Sequence, residues 1–165
     1  MKTAAWQRRR WLAGLLADDS GVSAIEFVFL SPVVFFLIFG TVELALDMIV
    51  DASVQIAAES ASRTGLTTTA PATGTRADQA KSIVMSALGG WQNIGGTVTI
   101  STLDYGTYDN IGTPNYQAND MGGFGDVVSY QITVSLPTGF TGLPKFFGVP
   151  LPLTFQRNFL VQNEK

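Results

Sequence analysis

The residues best placed to do chemistry are a glycine and a carboxylate, Gly21 and Glu26, within Gly21-Val22-Ser23-Ala24-Ile25-Glu26-Phe27. Glu26 lies at the mouth of a run, Phe27 to Val42, that contains no charged residue. An ionisable group at membrane depth is costly and is by default a functional candidate. A cut after Gly21 would make the Val22 nitrogen a cationic α-amine about one helical turn from the Glu26 anion. Paired within one chain, or between neighbours in a helical array, the two charges lose most of the cost of burying either alone. The plainer alternative for Glu26 is an interfacial acid at the end of an ordinary anchor helix.

Other acids are grouped as well. Glu43, Asp47 and Asp51 fall at i, i+4 and i+8, a stripe on one helical face just past the apolar run. A solvated helix face is the default reading, and a docking strip for a basic partner the sharper one; like charges at that spacing repel mildly. Asp104, Asp109 and Asp120 offer oxygens for calcium but lack EF-hand spacing. A membrane-tethered hydrolase would need two converging carboxylates, for which Asp104 and Asp126 remain by elimination. The chain has no Cys and no His. Disulfides, the usual zinc sites and His-based triads are therefore excluded.

The elements that must position these groups follow from patterning. At 165 residues the chain suits one modest domain plus an anchor. Only 14% of residues are charged, below the usual quarter of soluble domains. The net charge of −3 gives a nucleic-acid partner no electrostatic support. The uncharged run spans about 24 Å as a helix, and reaches spanning length when Val22 to Ile25 and Leu44 to Leu46 are added. Arg8, Arg9 and Arg10 ahead of it place the N-terminus in the cytoplasm. A secretory signal fits less well, because the small-x-small triplet Ala58-Glu59-Ser60 lies far downstream of the apolar core. Good helix formers continue to Gly65, a C-cap candidate, and Pro32 predicts a local loosening within the helix.

The expected organisation is a basic leader over 1–21, a transmembrane and extended helix over 22–65, a linker over 66–75, and an extracytoplasmic domain over 76–165. In that domain Thr75 and Asp78 resemble a capping box opening a short helix, with Ala80, Val84, Ala87 and Leu88 as its apolar face. Period-two alternation predicts strands over 97–103, 126–136 and 151–162. The fold class is thus α+β: a long N-terminal transmembrane helix continuing outside the membrane, then one or two helices and a three- to four-stranded antiparallel sheet. The intervening loop, residues 104–125, is polar and long enough to be functional, mobile or both. Phe140, Leu143, Phe146 and Phe147 form an apolar cluster whose default role is core cover, with the membrane surface or a neighbouring subunit as the alternative.

Gly-x-x-x-x-Glu-Phe heading an apolar helix resembles the processing site of type IV prepilins, in particular the tight-adherence (Tad/Flp) branch. Ser31-Pro32, Gly40-Thr41-Val42-Glu43 and the segment Ala57-Ala58-Glu59-Ser60-Ala61-Ser62-Arg63-Thr64-Gly65 resemble TadE-like pseudopilins. Gly125-Asp126-Val127-Val128 and the ending Val161-Gln162-Asn163-Glu164 do so more loosely, with Gln162 where the family often has Arg. The resemblance implies cleavage between Gly21 and Val22 by a membrane-embedded prepilin peptidase, with Glu26 and Phe27 serving processing and assembly. It implies a non-catalytic minor pilin or pseudopilin of the bacterial inner membrane, N-terminus cytoplasmic and C-terminal domain periplasmic. Its partners would be other pilins and the Tad assembly platform, in making a Flp-type pilus for adherence; no cofactor is implied. The rival is an uncleaved, signal-anchored protein whose outer domain binds a partner or ligand.

Overall fold

The computed structural model describes residues 20–69 and 71–164. The basic leader up to residue 19 lies outside the described residues, and of Ser20, Gly21 and Val22 only the helical backbone is described. The first element, α1 (Ser20–Gly65), passes from one compact unit, which ends at Thr41, into a second that begins at Val42. It is long and apolar enough to cross a membrane, which suits it to anchor the chain there.

In the first unit the apolar side chains from Ile25 to Phe39 are exposed around the helix, the pattern of a segment made to face lipid. Pro32 lies within it. The missing proline N–H would leave the Val28 carbonyl without its helical donor. The hydroxyl of Ser31 donates to that carbonyl at 3.4 Å. Ser31-Pro32 is therefore a break partly repaired by its own neighbour. Near the end of the run Thr41 Oγ1 donates to the carbonyls of Leu37 (2.9 Å) and Ile38 (2.8 Å), which hides a hydroxyl from an apolar surrounding.

The second unit is an α+β domain. After α1 come α2 (Arg76–Leu88), a 3₁₀ turn (Gly89–Ile94), β1 (Thr97–Asp104), a short 3₁₀ turn (Tyr108–Asn110), β2 (Gln117–Ala118), β3 (Val127–Leu136), α3 (Leu143–Phe146) and β4 (Leu153–Gln162). The strands form one antiparallel sheet in the order β2-β1-β3-β4. The capping box at α2 is complete: the Thr75 hydroxyl accepts from Asp78 N–H, and the Asp78 carboxylate accepts from Thr75 N–H. The Thr75 hydroxyl also donates to the Asp78 carboxylate at 2.7 Å, and this bond, with the one from Thr75 N–H, holds the Asp78 carboxyl below its usual range.

Register puts the alternating residues on one face. Val98, Ile100 and Thr102 lie opposite Val134, Ile132 and Tyr130, which in turn face Phe155, Arg157 and Phe159. Against that face pack Val50, Val54, Ala57, Ala58 and Ala61 of α1 and Ala80, Val84 and Leu88 of α2. The α1 members recur at helical spacing, and the small Ala57, Ala58 and Ala61 let its backbone come close. Tyr130, Val128, Ile132 and Val134 are fully buried, as the central strand of a half-covered sheet requires.

Candidate functional site

The two ends of the α1 segment that carries the domain are each fastened by polar contacts, and these are where the sequence-predicted residues fall. At the first end, Glu43 is only 5% exposed. Its carboxylate accepts from Phe140 N–H at 2.9 and 3.1 Å, from Thr141 N–H at 2.6 Å, and from the Thr141 hydroxyl at 2.6 Å. Gly139, at φ +70°, turns the chain so that successive amides point at one carboxylate. A Cβ on that glycine would strike Glu43 Oε1. Charge-assisted bonds of this kind are roughly twice as strong as neutral ones, and they replace the water that burial removes.

The acidic stripe is thus divided by environment. Glu43 departs from the solvated-face reading: it lies on the same helical face as Val50, Val54 and Ala61, the face that meets the domain. Asp47, one turn on, is half-buried, and its Oδ1 has no hydrogen-bond partner among the described residues. Asp51 pairs with Arg157 of β4 at 2.5 Å, both side chains about 40% exposed. Glu26 and Phe27 belong to the other unit and are exposed there. Gly21 and Val22 lie on the helical backbone.

At the second end the chain closes a knot of backbone and side-chain bonds. Asn163, 2% exposed, donates through Nδ2 to the carbonyls of Met121 (2.7 Å) and Gly123 (3.0 Å). Its own N–H donates to Asp126 O, and Gly125 N–H donates to Asn163 O. Glu164 N–H reaches Leu66 O, just past α1, and Thr68 N–H returns to Glu164 O. Arg76 bridges the same parts, donating to Gly122 O (2.8 Å) and Gly65 O (2.5 Å). Gly125-Asp126 and Asn163-Glu164, two segments picked out separately in the sequence, meet here.

Gly65 is the last residue of α1 rather than a left-handed cap. Glycine is needed for another reason: the Tyr130 hydroxyl occupies the space where a Cβ would stand. Burial pushes the Tyr130 phenol above its usual range, against a smaller opposing effect from the Arg76 charge.

The 104–125 loop is pinned from within. Asp104 Oδ1 accepts from Gly106 N–H, Asp120 Oδ1 from Met121 and Gly122 N–H, and Asp126 Oδ2 from Gly123 N–H. Tyr105 and Tyr116 pack edge to face at 5.9 Å, and Asn119 N–H donates to Thr102 O. Asp104 and Asp126 both border Gly122, but each is already an acceptor for a loop amide. Among the described residues, no cluster of three or more His, Cys, Asp or Glu is placed to hold a metal ion. The apolar cluster splits: Phe140 packs on the core and against Trp91, whereas Phe146 and Phe147 are exposed.

Comparison with known proteins returns one family. A family model described as TadE-like protein matches residues 21–63, the segment that begins at the glycine and ends two residues before Gly65. No curated protein and no solved structure matches the chain.

Proposed function

We propose, from a chain whose residues 21–63 are TadE-like, that it is a minor pilin or pseudopilin taking part in assembly of a Flp-type Tad pilus. The observation that carries the reading is the overlap of the family match with the apolar helix: residues 21–63 lie within the helix Ser20–Gly65 and take in both Glu26 and the apolar run that follows it. In this reading a prepilin peptidase cuts after Gly21. The cut frees the Val22 amine, and the Glu26 carboxylate neutralises it within the chain or from a neighbouring subunit. Lateral packing of apolar helices then recruits the subunit to the base or body of a filament. The chain does no catalysis of its own; the scissile bond is its contribution and the peptidase is a partner.

The outer domain supports such a role physically. Glu43 and the Asn163 knot hold it to its helix at both ends, so a force on the domain is passed to the anchor rather than to a flexible linker. The single pass would run from a cytoplasmic leader to a periplasmic domain, with the Tad assembly platform and other pilins as partners.

N-terminal sequencing of protein extracted from peptidase-competent cells tests the reading. The expected first residue is Val22, and Gly21→Leu should leave a full-length precursor and no pili. An intact leader in those cells, or unchanged piliation with Gly21→Leu, would favour the signal-anchored alternative.

A further inference from the structure

The loop between β3 and β4 carries a patch that the pilin reading does not use. Phe146 and Phe147 are 69% and 64% exposed and pack edge to face at 5.3 Å, with Val149 44% exposed and the exposed Lys145 directly preceding them in the chain. Exposed aromatic pairs next to a cation are uncommon on a water-facing loop, and they suit the headgroup region of a bilayer. The position of the loop is fixed by Glu43. That carboxylate binds the amides of Phe140 and Thr141, and Glu43 is the residue that directly follows the uncharged run Phe27–Val42. The helix α3 starts only two residues beyond Thr141. The clamp therefore ties the loop that carries the aromatic turn to the helix residue that directly follows the apolar run, which for a helix anchored in lipid belongs near the membrane interface.

We propose that the segment Gly142–Val149 docks on the lipid surface, with Phe146, Phe147 and Val149 in the interfacial zone and Lys145 against anionic headgroups. The proposal rests on membrane anchoring by α1. It assigns Glu43 a second consequence: the buried carboxylate keeps this loop beside the helix residue that follows the apolar run.

The chain has no Cys, so single labels are straightforward. Full-length protein carrying Val149→Cys, Asn115→Cys or Phe36→Cys is labelled with an environment-sensitive fluorophore and reconstituted in phosphatidylcholine–phosphatidylglycerol vesicles. The label at 149 should show a blue-shifted emission close to that at 36, and the label at 115 an aqueous spectrum. In the Val149→Cys background, Phe146→Ser with Phe147→Ser should return the emission to the aqueous position, and Lys145→Glu should reduce the shift only when phosphatidylglycerol is present. An aqueous spectrum at 149 with a buried one at 36 overturns the proposal and leaves the anchor standing. Aqueous spectra at both overturn the anchor itself. A shift at 149 that disappears as the lipid-to-protein ratio rises assigns the patch to a second copy of the chain and also overturns the proposal.

Discussion

Glu43 and Thr141 are joined across 98 positions of sequence by two 2.6 Å hydrogen bonds, one from the backbone N–H and one from the hydroxyl. This single residue links the end of the apolar run to the far hairpin of the domain. Removing it leaves buried donors with no acceptor, the expensive half of any hydrogen-bond deletion. Glu43→Ala should lower stability by about 2–4 kcal/mol, and Glu43→Gln by less because the amide oxygen keeps one acceptor. Thermal melts of the full chain in detergent, followed by tryptophan fluorescence, would show the order wild type, Gln, Ala. Equal melting of all three would remove the clamp from the stability account.

Asp51 and Arg157 make a contrasting pair. Their contact is also short, but both side chains are well exposed, and exposed ion pairs are worth about 0–1 kcal/mol. Asp51→Asn should change the melting temperature little, and what it changes should vanish in high salt. A loss as large as that of Glu43→Ala would mean the pair is shielded in the membrane-bound protein.

Gly65→Ala should destabilise through collision with Tyr130, by roughly 1–3 kcal/mol for an overpacked core. The double variant with Tyr130→Phe should recover part of that loss, because it removes the hydroxyl oxygen, the nearest of the atoms in conflict, while the ring carbon behind it must still shift. Non-additivity in this cycle is the readout.

Tyr130 also gives a pH prediction. Its folded pKa is raised, so unfolded protein loses the phenolic proton first. The stability it contributes is whole below the ordinary tyrosine pKa near ~10 and declines as pH rises beyond it. Alkaline absorbance titration of the folded chain should show one of the four tyrosines ionising late, and Tyr130→Phe should abolish that late step alone.

Glu26→Gln separates cleavage from assembly. Processing after Gly21 should continue, since the scissile bond is untouched, while co-purification with sheared pili should fall sharply for want of a partner to the Val22 amine. Normal recovery with pili would show that the amine finds another counter-charge.

The regular elements were legible because their signals are local. Val128, Tyr130, Ile132 and Val134 alternate as a half-covered strand must, and the Thr75/Asp78 pair marks a helix start within four residues. Glu43 carries the sequence signature of a solvated acid because its partners are backbone amides, which leave no trace in side-chain sequence. A usable signal was present in its phase: Glu43 is seven residues before Val50, on the same helical face. Gly65 has the sequence signature of a cap because helix ends and close approaches both select glycine, and only the fold brings Tyr130 there. The 104–125 loop looked loose for the same reason. Its anchors are Asp and Asn side chains bonding to nearby or distant amides and carbonyls, a pattern that composition cannot tell from a solvated loop.

The knot at Asn163 and Glu164 has a consequence in time. A chain made from its N-terminus presents Val50, Val54, Ala57 and Ala61 long before residues 127–164 have left the ribosome, so the stripe that seats the sheet is bare while the helix is already in the membrane. Insertion of the helix can be complete before the domain closes on its stalk. During that interval the nascent stripe needs a guardian or an empty neighbourhood, and the wait ends when Asn163 and Glu164 arrive to close the knot.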